Sequence, residues 1–428
     1  MIGYRNIYHD SIIDHLRYSN EDYMNVILTT ESCGCEDLEQ CVAKLGGKIK
    51  RKLEIINGVS AYIPTTGIKS ASMERAINKV YLDEKVFKLM DVASVSIGAD
   101  YANGLGLTGK GIGIAVVDTG VYPHHDLVSP YNRIVGFKDF VNNKTSPYDD
   151  DGHGTHVAGI VAGNGFSSSG KYMGIAPDAN IIGIKVLDGE GSGNISDVIA
   201  GIQWAIDNQQ RYNIKIINMS LGTRAKTSYK DDPLCRAVEK AINLGLTVCA
   251  AAGNSGPKAS TINSPATTPN AIVVGASNTK KGAKSPIADF SSRGPTIDEL
   301  HKPDILAPGV DITSLKNSTN EYQTLSGTSM ATPFVSGCCA LLYESNPNIT
   351  PGEIKDLLIR TADNLGTGYS RDVQGYGQIN MNKIFANINT KKPVTPKAPE
   401  QKTVPRKKIL FNNEWFLVIA IVALLLIL

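Results

Sequence analysis

Between residues 91 and 390, short apolar runs alternate with longer amphipathic segments. Residues 112–117, 181–186, 214–219, 247–252 and 272–274 are short and nearly continuous in apolar character. Such runs read as strands buried on both faces, the habit of parallel sheets. Residues 157–162, 195–208 and 233–244 lie between them and read as helices. The alternation predicts an α/β domain on a doubly wound, mostly parallel sheet. A different pattern precedes it. Residues 24–30 read as a strand, 37–45 as a helix ended by Gly46-Gly47, and 48–56 with 59–63 as a hairpin turned at Asn57-Gly58. Residues 70–80 are expected to be a second helix and 85–89 a last strand. The order βαββαβ describes a small α+β, ferredoxin-like unit over residues 23–90, and residues 1–22 form an unassigned extension.

Composition changes the picture only at the ends. At 42% hydrophobic and 20% charged residues the chain has material for a sizeable core. A net charge of +2 supplies no field for nucleic acid. The seven cysteines, an odd number set in apolar runs and one vicinal pair, read as reduced thiols. Cys33, Cys35 and Cys41 lack a nearby fourth ligand for a metal knot. The first ten residues contain no apolar core of a secretory signal. Residues 391–408 carry seven basic side chains and four prolines and read as an extended linker. Residues 415–428 are wholly apolar. As a helix they span about 21 Å, so 409–428 is expected to be a short membrane anchor with Arg406-Lys407-Lys408 on the cytoplasmic side. A terminal helix docked on the protein itself is the other reading.

Three segments carry candidate chemistry. They are Val116-Val117-Asp118-Thr119-Gly120, Gly152-His153-Gly154-Thr155-His156-Val157-Ala158-Gly159, and Ser326-Gly327-Thr328-Ser329-Met330-Ala331-Thr332-Pro333. A serine hydroxyl becomes a nucleophile only when an imidazole takes its proton, and a carboxylate must orient that imidazole. The order Asp, His, Ser along the chain is the order found in subtilisin. Together with Ala250-Ala251-Ala252-Gly253-Asn254-Ser255-Gly256, these segments resemble the subtilisin-like serine proteases, or subtilases, from about residue 96 to 385.

The resemblance implies specific roles. Asp118, His153 and Ser329 are the expected triad, with His156 structural. Asn254 and the Ser329 N–H are the expected donors to the oxyanion. Ser220, Leu221 and Gly222 match the segment that pairs with extended substrate, residues 261–266 match the floor of the primary pocket, and Ala252, Gly253 and Asn263 are also expected to bind substrate. Asn263 and Ala266 stand where many relatives have glycine, and Ser264–Pro265 is a candidate cis bond. Asp149-Asp150-Asp151 reads as a solvated turn, and Pro333 as a first-turn proline of the helix that Ser329 opens. The N-terminal unit resembles an inhibitory propeptide whose last strand lies in the cleft, with the releasing cut between Phe87 and Asp91. The chemistry needs no cofactor. Asp126 matches one calcium ligand of secreted relatives, yet residues 163–171 show no recognisable calcium loop, so a structural calcium ion stays open. The resulting expectation is a serine endopeptidase acting on extended polypeptide, anchored by its tail and facing the cytoplasm. The alternative is a catalytically silent binding or signalling module of the same fold.

Overall fold

The expected parallel strands form the middle of a larger sheet. In the computed structural model, which describes residues 7–9, 12–13, 16, 22–31, 34–83, 85–88, 105–279 and 285–386, seven strands lie side by side. They are β6 (Gly113–Asp118), β7 (Ile134–Asp139), β8 (Asn180–Lys185), β10 (Ile214–Met219), β12 (Thr247–Ala251), β14 (Ile272–Ser277) and β15 (Ile305–Pro308), in the order β15-β14-β12-β10-β6-β8-β7. All their pairings are parallel. Alternation along β6 explains why it reads as one apolar run. Ile114 and Val116 join a core with α3 (His153–Ala162) and α6 (Thr328–Ser345), whereas Ala115 and Val117 join one with α4 (Ile195–Asp207) and α5 (Pro233–Asn243). Both faces are covered, so neither needs a polar residue. Burying each such side chain contributes roughly 1.5–3 kcal/mol.

β6 lies inside the sheet, with β8 and β7 on one side and β10, β12, β14 and β15 on the other. The direction of winding switches there. Loops leaving the carboxyl ends of β6 and β10 part in opposite directions and open a crevice, where α/β sheets hold their sites.

The N-terminal unit consists of β1 (Tyr23–Thr29), α1 (Cys35–Lys44), β2 (Lys48–Leu53), β3 (Gly58–Pro64), α2 (Thr65–Ser70) and β4 (Lys79–Leu82). Its antiparallel sheet runs β2-β3-β1-β4. The hairpin turns at Asn57, whose φ of 49° is left-handed, as Asn-Gly chemistry predicts. Two expectations shift. The second helix lies over Thr65–Ser70 with a 3-10 turn to Met73, not over 70–80. The fourth strand of the sheet is β4, and of the expected strand 85–89 the described residues 85–88 are not part of it. The unassigned extension adds to the unit. Tyr8 bridges Val80 in parallel, and Ile7 and Ile12 are buried in the unit's core.

The separate strand β5 (Lys85–Lys88) lies between two strands of the larger domain, β9 (Ser192–Asn194) and β11 (Leu221–Arg224), antiparallel to both. β13 (Asn263–Ser264) completes this second sheet beyond β11. Residues 1–388 form one compact unit. Among the described residues no helix is long and apolar enough to cross a membrane. The expected linker and anchor, 391–408 and 409–428, lie outside the described residues.

Candidate active site

Asp118 is the last residue of β6, and His153 is the first of α3. His153 Nδ1 lies 2.6 Å from Asp118 Oδ1, with both side chains buried. The Thr119 N–H donates to the same oxygen at 2.8 Å. The approach requires glycine at position 154, since a β-carbon there would collide with the Gly120 carbonyl.

The carboxylate run before His153 is solvated at Asp150 but not at Asp149. Asp149 is buried and accepts the N–H groups of Asp151, Gly152 and Thr155 and the hydroxyls of Thr119 and Thr155. Thr119 Oγ1 also accepts from the Gly154 N–H at 2.9 Å. One carboxylate thus ties the loop after β6 to the start of α3. Burial raises the Asp149 pKa, against the hydrogen bonds from Thr155, Gly152 and Thr119 that lower it. Asp150 pairs instead with the buried Lys185 at 2.5 Å, and Asp151 accepts the His153 N–H. The signal was in the sequence: an Asp two and three residues before free N–H groups is Asx-turn chemistry.

Ser329 stands second in α6, at the positive end of the helix dipole. Its hydroxyl donates to the Ser220 carbonyl at 3.1 Å, and the Ser220 hydroxyl donates to the Ser329 carbonyl at 2.9 Å. Pro333 lies in the second turn, not the first. A proline there cannot donate to the carbonyl four residues back, which is that of Ser329. Ser220 fills the place of the missing donor. Asn218 Nδ2 bonds Ser220 Oγ, and Ser336 Oγ bonds Asn218 Oδ1, so α6 is fastened to the end of β10.

Asn254 follows β12. Its Oδ1 accepts from the N–H and the hydroxyl of Thr328, both at 3.0 Å. That fixes the amide flip and turns Nδ2 away from Thr328. Nδ2 is buried with no protein acceptor. An unpaired buried donor is costly, so an oriented N–H beside Ser329 has the character of an anion site.

The remaining residues line the strip beside Ser329. Leu221 and Gly222 lie on β11, opposite Lys88 and Phe87 of β5. Ala252 and Gly253 follow β12, and the Asn263 N–H donates to the Ala252 carbonyl. Asn263 fills space between two glycines. A β-carbon on Gly222 would lie 3.2 Å from Asn263 Cβ, and one on Gly253 3.0 Å from Asn263 Cγ. The Ser264–Pro265 bond is cis.

His156 lies one turn beyond His153 and faces elsewhere. Its Nε2 donates to the carbonyls of Ile312 and Gln323, on the hairpin β16 (Ile312–Leu315) and β17 (Tyr322–Leu325). Complete burial, with His153 nearby, lowers its pKa to about 3. Asp126 does not fit a calcium site. Its carboxylate accepts from the Ser167 N–H and the Tyr322 hydroxyl, and the buried Arg133 guanidinium donates to the Asp126, Ala162 and Ala179 carbonyls. Among the described residues no group of three or more His, Cys, Asp or Glu could hold a metal. The described cysteines are free thiols, and Cys33 lies outside the described residues.

Residues 109–377 match the Subtilase family of peptidases. The chain is 44% identical over 381 residues to the serine protease AprX of Bacillus subtilis strain 168, covering 81% of this chain and 84% of that protein. It is 35% identical over 349 residues to subtilisin E of the same strain, covering 79% and 84%. A thermostable alkaline protease of Halalkalibacterium halodurans is 40% identical over 271 residues, covering 63% and 67%.

Proposed function

This chain belongs to the subtilase family of serine proteases, and on that premise we propose that it is an endopeptidase of extended polypeptide, held in check by its own N-terminal unit. The family reaction needs no cofactor. In the proposed mechanism Ser329 Oγ attacks the carbonyl carbon of the scissile bond, and His153 takes its proton as general base. Asp118 fixes the His153 tautomer through the 2.6 Å contact and stabilises the imidazolium. Negative charge growing on the carbonyl oxygen is met by Asn254 Nδ2 and the Ser329 N–H. His153 then returns the proton to the leaving amine, and water resolves the ester by the reverse steps.

The observation that carries the reading is β5. An extended segment of the chain is paired between β9 and β11, one strand step from Ser220 and hence from Ser329. Backbone pairing accepts any side chain that fits, which suits a protease of unfolded segments. It also supports inhibition by the segment that carries β5. Labelling with a fluorophosphonate tests the assignment. The wild type should label and hydrolyse an unfolded protein such as casein, and Ser329→Ala should do neither. A wild type that binds polypeptide without labelling would favour the silent binding module.

We further propose that residues 409–428 tether the enzyme to a membrane with the catalytic unit in the cytoplasm. The support is the sequence: a run that is wholly apolar from residue 415 to 428, after a basic linker. Removing 409–428 should move active enzyme from the membrane to the soluble fraction. Full-length enzyme already in the soluble fraction would end this part of the reading.

A further inference from the structure

We propose that Lys185 is a positioning residue of the active site, whose buried ammonium holds the loop that aims Asp118 and, paired with Asp150, sets the pH at which His153 can act as base. The proposal rests on the protease reading above.

The strand register brings the charges together. Lys185 ends β8 and stands in register with Asp118 on β6 and with Asp139 on β7. Registered partners on neighbouring parallel strands share a face and lie about 4.8 Å apart. Counting by twos from Ile114 and Val116, Asp118 lies on the face covered by α3 and α6. Lys185 therefore stands beside the triad carboxylate, on the side of the sheet where His153 begins α3.

Its contacts point at the catalytic loop. The side chain is fully buried. Nζ donates to the Thr119 carbonyl at 2.7 Å, the Leu187 carbonyl at 2.8 Å and Asp150 Oδ1 at 2.5 Å. That uses all three ammonium protons. Thr119 is thereby held at three atoms, since its N–H donates to Asp118 Oδ1 and its hydroxyl to Asp149. Asp118 Oδ2 is buried and accepts no hydrogen bond among the described residues. A cation one strand away meets that charge by its field. Stability alone is a poor reason for a cation here, because a buried ion pair gains little over apolar packing.

The same field reaches His153. Lys185 and Asp150 together are neutral, so the imidazole feels little of the pair. With Lys185 removed, the Asp150 carboxylate remains and favours the imidazolium. With Asp150 removed, the ammonium remains and favours the neutral base. The other charged and titratable groups nearby are common to both cases. Asp139 lies on β7, Asp188 lies beyond β8, and His156 is on α3. Tyr148, Asp149 and Asp151 lie in the turn before α3, with Lys144 over the Tyr148 ring.

The pH profile of kcat/KM on a p-nitroanilide peptide, measured with the purified full chain, tests this. Lys185→Met should move the acid limb up by about half a unit to one unit. Asp150→Asn should move it down by about 0.2–0.5 unit, a smaller shift because that carboxylate is 39% exposed and its field is screened. The double variant should bring the limb back to within about 0.2 unit of the wild type, with the plateau still roughly tenfold or more lower because Thr119 has lost its tether. A limb that stays put in either single variant, or two shifts of the same sign, would overturn the proposal and leave Lys185 as a structural tie for the loop. If Lys185→Met does not fold, Asp150→Asn, a change in an exposed turn, decides alone. A downward shift then supports the proposal and an unmoved limb overturns it. A wild type inactive on both the peptide and casein would overturn the protease reading instead.

Discussion

The seven-stranded sheet and the seam beneath the N-terminal unit both join distant segments, with different chemistry. Around β6 the joining is apolar. All six of its residues are buried, and helices cover both faces. The seam shares that core at Ile27, Leu53, Ile56 and Tyr81 but is ringed with charge. Arg51 bonds Asp197 at 2.6 Å and the Phe140 carbonyl, Lys50 pairs with Asp83 at 3.3 Å, and Arg236 reaches the Tyr81 hydroxyl. Asp83 is buried and accepts the N–H and hydroxyl of Ser196 at the start of α4, and its burial raises its carboxyl pKa. Returning apolar surface to water costs in proportion to its area, whereas exchanging a protein hydrogen bond for one to water costs little net. The sheet is a permanent joint. The seam has the composition of one that holds firmly and can still part.

The largest expected effect touches the site and leaves the seam alone. Ser329→Ala should lower turnover by roughly a millionfold, the scale of triad losses in this class, without changing affinity for the N-terminal unit. Single-turnover kinetics and calorimetric titration of the two parts would check both halves. Loss of binding along with turnover would mean that site and seam are one joint. Asn254→Ala comes next, with turnover down by about 100- to 1000-fold and KM nearly unchanged, because its free N–H acts on charge that exists only in the transition state. A change confined to KM would remove Asn254 from that role.

The third prediction acts on the seam alone. Asp83→Ala removes the acceptor of two Ser196 bonds and the partner of Lys50. A charge-assisted bond contributes about 1.5–3 kcal/mol, so affinity for the N-terminal unit should fall roughly 10- to 100-fold. Activity of the catalytic domain freed of that unit should not change. An affinity decrease under twofold would make the seam as apolar in effect as the sheet.

The two regions also differ in how legible they are. The inner strands can be read because burial on both faces writes itself as an apolar run. β7 at the sheet edge is interrupted by exposed Val135 and half-buried Lys138, and β15 is an apolar run of only four residues that ends in Pro308, so both escape the pattern. In the N-terminal unit the sequence Thr65-Thr66-Gly67 has poor helix propensity, yet packing makes it helical. The segment Lys79-Val80-Tyr81-Leu82 is absorbed at its start into an expected helix, although it pairs with β1 as a strand. Local pattern also conceals partners. Asp149 gathers five donors from two segments, and Pro333 matters because Ser220 supplies the bond that it cannot.

The smallest effect separates sheet and seam by pH. His156 is fully buried and neutral, and its pKa falls from 6.5 to about 3. In the unfolded chain it titrates near the ordinary value. Between the two values the unfolded state binds the extra proton, so stability rises with pH there and is lost as pH falls below 6.5. Each unit costs about 1.4 kcal/mol, or roughly 2.7 kcal/mol between pH 6.5 and 4.5. The penalty lies where α3 meets the β16–β17 hairpin, on the sheet's side of the molecule. His156→Gln keeps a donor for the Ile312 and Gln323 carbonyls but cannot titrate. It should start less stable near neutrality and lose less on acidification, flattening the unfolding free energy against pH by about one proton. Urea unfolding of the Ser329→Ala background, which cannot digest itself, would measure both slopes. Equal slopes would show that acid acts through groups other than His156; Asp83 is not one of them, because a carboxyl whose folded pKa is raised gains stability as pH falls.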